Sequence, residues 1–328
     1  MTSFAIKTIH GRRVWDSRGR PTVEAEVTLK DGAKGLAIAP AGASKGTREA
    51  LELRDGGIQF GGLDVLQAVA HINGEIANAL MGSQADNQIA LDQALIELDG
   101  TENKTRLGAN ATLAVSMAAA HAMAQASGVP LYRYLGQGSI GRLPMPQIQI
   151  FGGGAHAGRR VDVQDFMVVC PGAESFAQAL EWTAEVYRHA GLLMAQRGSL
   201  FGVADEGGWW PAFESNEEAL QTLTRAIDAA GYRYDQVAIS LDIAASEFGR
   251  AGAYKLGLEH QEFDSEAWLE VLLGWVNKYP ILSVEDPFAE GDTAGMQAFT
   301  NAVGQRIQVV GDDYLVTQAS LVTQAIQD

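Results

Sequence analysis

Cysteine is almost absent from this sequence, and basic residues are scarce. The single cysteine, Cys170, excludes an intrachain disulfide and a cysteine-built zinc site, and it suits a reducing cytosol. Lys and Arg number 24 against 40 Asp and Glu, which gives a formal net charge of −16. This charge would repel the phosphates of a nucleic acid. We therefore expect a cytoplasmic protein that has no nucleic-acid partner.

Long apolar runs and proline are also scarce. No apolar run approaches the roughly 18 residues of a membrane span, and the N-terminus lacks the apolar stretch of a signal peptide. Proline accounts for 9 of 328 residues, while 47% of the residues are hydrophobic. The composition thus predicts a folded protein with a sizeable core and no membrane partner. An anionic substrate would need a positive group in the site, and a bound metal is the natural candidate.

The first part of the chain, residues 1–138, changes from a strand pattern to a helix pattern. Strands are predicted at 4–9, 22–29 and 35–39, with a hairpin turn at Asp31-Gly32. Helices are predicted at 64–81, 87–98 and 109–126. Asp64 is the predicted N-cap of the first helix. Strands followed by a run of helices indicate an α+β domain.

In the second part, residues 139–328, strand and helix patterns alternate. Two early apolar runs, PMPQIQIF and VQDFMVV, flank a glycine-rich loop at 152–158. Four further runs each precede a helix pattern: SLFGVAD, QVAISLD, PILSVED and RIQVVGDD. The helices are predicted near 216–230, 266–278, 293–303 and 318–326. This alternation predicts parallel strands, in a barrel or in an open doubly wound sheet.

Acidic residues end the last four strand patterns. They are Asp205-Glu206, Asp242, Glu285-Asp286 and Asp312-Asp313. Any one of them could simply cap the following helix. Capping explains Glu285 less well, because Glu is a poor N-cap, and it does not explain the whole set. Carboxylates that meet at one barrel mouth repel each other unless a cation is present, and Mg²⁺ prefers oxygen ligands. We therefore predict a magnesium site formed by Asp242, Glu285 and Asp312.

Several segments resemble motifs of the enolase family. Near the N-terminus, WDSRGRPTVEAEV resembles DSRGNPTVE, and PAGASKG resembles PSGASTG. Further matches in the family's order are ELRDG, ELDGTENKTRLGANA, GGGAHAG, ADEGGWWP, LDIAASEF, SVEDPFAEGD and VVGDD. The resemblance covers essentially the whole chain. It implies an α/β protein with an N-terminal α+β capping domain followed by a TIM-type βα barrel.

The resemblance also implies an activity. The expected function is that of a glycolytic lyase, the magnesium-dependent dehydration of 2-phosphoglycerate to phosphoenolpyruvate, in a homodimer or higher homo-oligomer. The substrate would be a small anionic phosphorylated carboxylate, with two Mg²⁺ per active site. The resemblance implies these metal ligands: Asp242, Glu285, Asp312 and, for the second ion, Ser44 of a mobile loop. Glu206 aligns with the general acid, while His156 and Asp165 align with substrate-binding and catalytic positions.

The sequence departs from the family pattern at several places. The proton-abstracting lysine of the family lies in a strand beyond VGDD, and this chain ends at Asp328. We therefore expect a barrel cut short after about six of its eight strands. Gly152 replaces an asparagine, Asp165 replaces a glutamate, and Lys45 replaces a threonine. Two alternatives stay open: an enolase-like enzyme for a related phosphonate or carboxylate, or a non-catalytic enolase-like binding protein.

One motif suggests a different class of enzyme. Residues 42–46, Gly-Ala-Ser-Lys-Gly, match the G-x-S-x-G elbow of α/β-hydrolases. In that fold several βα units normally precede the elbow, and no partnering His and Asp are evident here. We expect a flexible loop instead.

Overall fold

The computed structural model describes residues 4–39, 41–137, 139 and 141–327. The chain divides into two compact units. The first comprises Met1–Gly42 and Arg48–Arg142, and the second comprises Ala43–Thr47 and Leu143–Asp328. Each unit has its own hydrophobic core. In the described part of the chain, no helix is long and apolar enough to cross a membrane.

The first unit contains a three-stranded antiparallel sheet in the order β1-β2-β3. The strands are β1 (Ile6–Trp15), β2 (Pro21–Leu29) and β3 (Lys34–Ala39). The predicted strands and the Asp31-Gly32 turn are confirmed. Strand β1 runs past its predicted end because it stays paired with β2 as far as the register pair of Trp15 and Pro21.

Helices cover this sheet. They are α1 (Leu66–His71), α2 (Ala77–Leu80), α3 (Gln88–Asp99), α4 (Ala109–Ala126) and α5 (Leu131–Leu135). Helix α4 packs against β2 and β3. A π-helical turn, Ile72–Ile76, joins α1 and α2. The predicted helix 64–81 is therefore one helical segment that contains a π-helical turn.

The prediction that Asp64 is the N-cap of this helical segment is wrong. Asp64 instead accepts two hydrogen bonds from Arg13 Nη1, at 3.0 and 2.8 Å. The first helical N–H groups, those of Leu66 and Gln67, donate to the carboxylate of Asp55 at 2.8 and 2.9 Å. A carboxylate 11 residues before Leu66 therefore caps the helix, which a local sequence pattern does not reveal.

The second unit contains a five-stranded sheet in the order β11-β10-β6-β5-β4. Its strands are β4 (Gln147–Gly152), β5 (Asp165–Val169), β6 (Ala238–Asp242), β10 (Ile281–Glu285) and β11 (Gln308–Val310). A separate antiparallel sheet comprises β7 (Gly249–Arg250), β8 (Ala253–Leu256) and β9 (Gln261–Asp264), and the sequence did not predict it.

The expectation of parallel strands holds for β6, β10 and β11 and fails at β5. Strand β5 is antiparallel to both β4 and β6. The loop between β4 and β5 contains a short 3-10 turn, Gly154–Ala157, rather than a crossover helix. A parallel return requires such a crossover, so the chain comes back antiparallel.

The helices of this unit are α6 (Phe176–Gln196), α7 (Asn216–Ala229), α8 (Ser265–Lys278), α9 (Thr293–Val303) and α10 (Ala319–Gln327). The four predicted helices are confirmed. The sequence predicted a helical pattern around His189 but no bounds for α6, the longest of these helices. Its buried residues recur every three or four positions, at Ala179, Thr183, Val186, Ala190 and Met194.

The predicted strand SLFGVAD is wrong. Its Val203 makes a single antiparallel bridge with Trp209, and Trp209 makes a single parallel bridge with Phe151 of β4. Asp205 and Glu206 therefore occupy a turn that leads back toward β4 and do not end a regular strand.

Candidate metal and acid–base site

Three carboxylates lie side by side at one edge of the five-stranded sheet. Asp242 ends β6, and it is the register partner of Glu285, which ends β10. On its other side, Asp242 is the partner of Asp165, the first residue of β5. Because β5 runs antiparallel to β6, its first residue lies at the edge where β6 and β10 end. The reversed strand thus adds a third acid to the row.

The first group of converging acids comprises Asp242, Glu285 and Asp286. Each offers one oxygen, and these oxygens lie within 4.8 Å of one another. Asp242 and Asp286 are only 8% and 2% exposed. Burial and then the charge of Asp286 raise the pKa of Glu285 to about 7. Burial and then the charge of Glu285 hold the pKa of Asp242 well above its usual range. Such a group favours a bound cation.

Asp312, the third predicted ligand, is arranged differently. Its side chain is exposed and does not join the tight group, although its charge also raises the pKa of Glu285. Asp286 holds the loop that carries it, because the Asp286 carboxylate accepts from the backbone N–H groups of Asp312, Asp313 and Tyr314 at 3.1, 2.7 and 3.3 Å. Metal ligation by Asp312 stays a prediction.

Ser44 is brought to this group by Gln164. The buried Gln164 donates from Nε2 to Ser44 Oγ at 3.0 Å and to Asp242 Oδ2 at 2.9 Å. The Ser44 segment is also held at Thr47, whose N–H donates to the Glu290 carboxylate at 2.9 Å. An amide cannot serve as the general base that a hydrolase serine requires. These contacts therefore favour a metal-site loop over the hydrolase elbow.

The second group comprises His156, Asp165 and Glu206. His156 Nε2 lies 3.8 Å from Asp165 Oδ2 and 3.7 Å from Glu206 Oε1. His156 and Asp165 are buried, whereas the Glu206 side chain is 48% exposed. Burial raises the pKa of Asp165 to about 6, against the opposing effects of a Gln149 hydrogen bond and the His156 charge. The structure thus brings together all three residues that the sequence predicted for acid–base and substrate roles.

Gln149 is one of the residues that sequence reasoning missed. Its Nε2 donates to Asp165 Oδ1 and, at 3.5 Å, to Glu206 Oε2. Its Oε1 accepts from the Gly208 N–H at 2.8 Å. A Cβ built on Gly152 or Gly208 would lie 2.9 or 2.4 Å from this Oε1, so glycine at both positions makes room for the amide. The only signal in the sequence is a glutamine within the apolar run QIQIF.

The residues present fit a magnesium ion. Mg²⁺ selects oxygen ligands, usually one or two carboxylates with water or substrate completing the shell. Asp242 and Glu285 supply only oxygen, and burial raises the pKa of each, while the neighbouring Asp286 is held by the backbone of the Asp312 loop. A cation would neutralise carboxylates that otherwise repel each other.

Comparison with known protein families gives two matches. Residues 6–135 match the family described as "Enolase, N-terminal domain". Residues 141–328 match the family described as "Enolase, C-terminal TIM barrel domain". The first unit is therefore the N-terminal capping domain, and the second is the TIM-barrel domain whose strand edge carries the acids. The chain belongs to the enolase family.

Proposed function

We propose that this protein is a magnesium-dependent lyase of the enolase superfamily that dehydrates 2-phosphoglycerate to phosphoenolpyruvate. The observation that carries the proposal is the row of Asp165, Asp242 and Glu285. It sets an all-oxygen cation site directly beside a His–Asp–Glu group. Dehydration of a hydroxy acid needs a base that accepts the α-proton, which the resemblance places in a strand beyond VGDD. The two groups described here would supply the other two functions, stabilising the negative charge and protonating the departing hydroxyl.

Asp242, Glu285 and Asp312 would hold one Mg²⁺, and Ser44 would contribute to a second. When bound, Mg²⁺ polarises the substrate carboxylate and stabilises the charge that develops as the α-proton leaves, as is general for this superfamily. Gln164 supports the arrangement because it ties Ser44 Oγ to Asp242 Oδ2. Magnesium binding would thus be coupled to the position of the Ser44 segment.

Glu206 would protonate the departing hydroxyl. Its half-exposed carboxyl lets one oxygen face His156 and leaves the group reachable by substrate. Asp165, whose pKa burial raises to about 6, would be mainly ionised near neutral pH and could accept a hydrogen bond from the same substrate. His156 would close the site from the glycine-rich loop.

The test is direct. Phosphoenolpyruvate formation from 2-phosphoglycerate is followed by ultraviolet absorbance with Mg²⁺ and with EDTA. We expect turnover that EDTA abolishes. Glu206→Gln should abolish turnover while leaving Mg²⁺ affinity within about twofold, whereas Glu214→Gln, at an exposed carboxylate, should change neither. EDTA-resistant turnover, or loss of Mg²⁺ affinity in Glu206→Gln, would contradict the assignment.

A second candidate is a related phosphonate or carboxylate substrate. Asp165 favours this second candidate, because its side chain is one methylene shorter than the glutamate of the family pattern. Gln149, which packs against Gly152 and Gly208, holds the Asp165 carboxylate in place, and carboxylate placement in such sites tolerates little displacement. A panel of phosphonate analogues would distinguish the two. Mg²⁺ binding without turnover of any member would favour a non-catalytic binding protein. We also propose a glycolytic role, a cytoplasmic location and a homodimer, the last to be tested by light scattering.

A further inference from the structure

The imidazole of His156 is buried, and its two nitrogens have different surroundings. The residue is 5% exposed, and its Nδ1 has no hydrogen-bond partner among the described residues. Its Nε2 faces two carboxylate oxygens at 3.7 and 3.8 Å, beyond hydrogen-bond range. Nε2 and the two carboxylate oxygens thus converge on one point without bonding each other directly, and a cation bound at that point would pair with all three.

Both carboxylates are already oriented toward that point. Gln149 Nε2 donates to Oδ1 of Asp165 and to Oε2 of Glu206, which leaves Oδ2 and Oε1 facing His156. Gln149 is itself fixed by the Gly208 N–H. An outer partner that orients the ligating carboxylates is a regular feature of metal sites.

We propose that His156 Nε2, Asp165 Oδ2 and Glu206 Oε1 form a second cation site, selective for zinc-like transition-metal ions. Tetrahedral ligands at zinc distances of about 2.0–2.2 Å stand roughly 3.4 Å apart, so the two distances from Nε2 need to close by only a few tenths of an ångström, and ligand atoms of the three residues all lie within 4.8 Å of one another. The exposed side of Glu206 leaves a fourth position open to water.

The donor set decides which cation enters which group. One imidazole with two carboxylates suits Zn²⁺, Co²⁺ or Cu²⁺, whereas Mg²⁺ avoids nitrogen ligands. The ligands proposed for Mg²⁺, Asp242, Glu285 and Asp312, offer oxygen alone and should keep that ion. One consequence rests on the proposed function: zinc on His156 and Glu206 would withdraw both from the substrate and so compete with it.

The experiment measures zinc binding without substrate, so its outcome does not depend on turnover. The metal-free full chain is titrated with Zn²⁺ by calorimetry in saturating Mg²⁺. We expect one zinc equivalent that Mg²⁺ does not displace. His156→Gln should weaken it by at least about tenfold, since even outer partners of metal ligands are worth 10–100-fold. The control is His189→Gln, which removes a surface histidine 4.0 Å from Glu185.

Two further measurements separate ligation from misfolding. Mg²⁺ affinity and thermal melting of His156→Gln should match the parent protein, and Glu206→Gln, at a half-exposed position, should also weaken zinc. Cobalt bound in place of zinc should give visible absorption bands that disappear in His156→Gln. The proposal is overturned if zinc affinity survives both substitutions, or if it is lost in Asp242→Asn but kept in His156→Gln.

Discussion

Gln149 Nε2 donates a hydrogen bond to Asp165 Oδ1 across the antiparallel pair β4 and β5. Burial raises the pKa of Asp165 to about 6, and this hydrogen bond is the largest effect that lowers it. A donor to a carboxylate favours the ionised form. Gln149 therefore lowers the pH at which the buried Asp165 loses its proton.

The first prediction concerns Gln149→Met, which keeps the length of the side chain and removes the donor. We expect the pKa of Asp165 to rise further above about 6, because burial then acts without its main opponent. Carbon-detected NMR titration of the aspartate carboxyls measures this shift. Gln147→Met, at an exposed position of the same strand, is the matched control. An unchanged Asp165 titration in Gln149→Met would contradict the prediction.

The second prediction concerns stability against pH in the metal-free protein. Folded Glu285 has a pKa of about 7 against an ordinary value of 4.5, so the folded state binds more protons between these values than the unfolded chain does. The free energy of unfolding should therefore fall as pH rises from about 4.5 through about 7, with Glu285 contributing roughly 1–3 kcal/mol. Urea denaturation in EDTA at pH 5 and pH 8 measures the difference.

Two comparisons test this cause. Saturating Mg²⁺ should flatten the pH dependence, because the ion favours the ionised carboxylates. Glu285→Gln should reduce the dependence without metal, while Glu270→Gln, at an exposed helical position, should leave it intact. If the free energy of unfolding changes equally with pH in the parent protein and in Glu285→Gln, then Glu285 does not cause the pH dependence.

Much of this architecture could be predicted because its signals are local. Alternating apolar and polar residues indicated the strands of the first sheet. Helix α4, Ala109–Ala126, has the bounds that were predicted for it. Asp242 and Glu285 could be paired in advance because parallel strands bring their ends to one edge. The motifs then supplied Ser44, His156, Asp165 and Glu206 as candidates, and the structure places the last three together.

What could not be predicted depends on partners distant in sequence. The reversed direction of β5 places Asp165 in the acidic row, and no pattern within β5 encodes it. Asp286 resembled a helix cap and instead holds three N–H groups of another loop. Gln149 resembled an ordinary strand residue. Each was missed because its role is defined by a neighbour across the sheet.

The third prediction concerns the long-range cap of α1. Asp55→Ala removes the acceptor for the Leu66 and Gln67 N–H groups, so we expect a loss of about 1 kcal/mol in the free energy of unfolding. Asp86→Ala, at an exposed position, is the comparison for loss of a surface aspartate. Urea denaturation of both variants measures the difference. No loss in Asp55→Ala would mean that water caps the helix equally well.

The fourth prediction concerns Asp286 as the support of the Asp312 loop. Asp286→Ala leaves three backbone N–H groups without their acceptor, which should cost about 1–3 kcal/mol. It also places alanine at a left-handed φ of 42°, which asparagine tolerates better. Mg²⁺ affinity should fall by about 10–100-fold in Asp286→Ala.

Asp286→Asn is the discriminating variant for this role. It retains one acceptor oxygen and the left-handed backbone, so its Mg²⁺ affinity should lie between those of Asp286→Ala and the parent protein. Calorimetric titration with Mg²⁺, alongside thermal melting of each variant, measures both effects. If Asp286→Ala binds Mg²⁺ as tightly as the parent protein, then the three N–H bonds do not position the metal site, and Asp242 and Glu285 suffice to hold the ion.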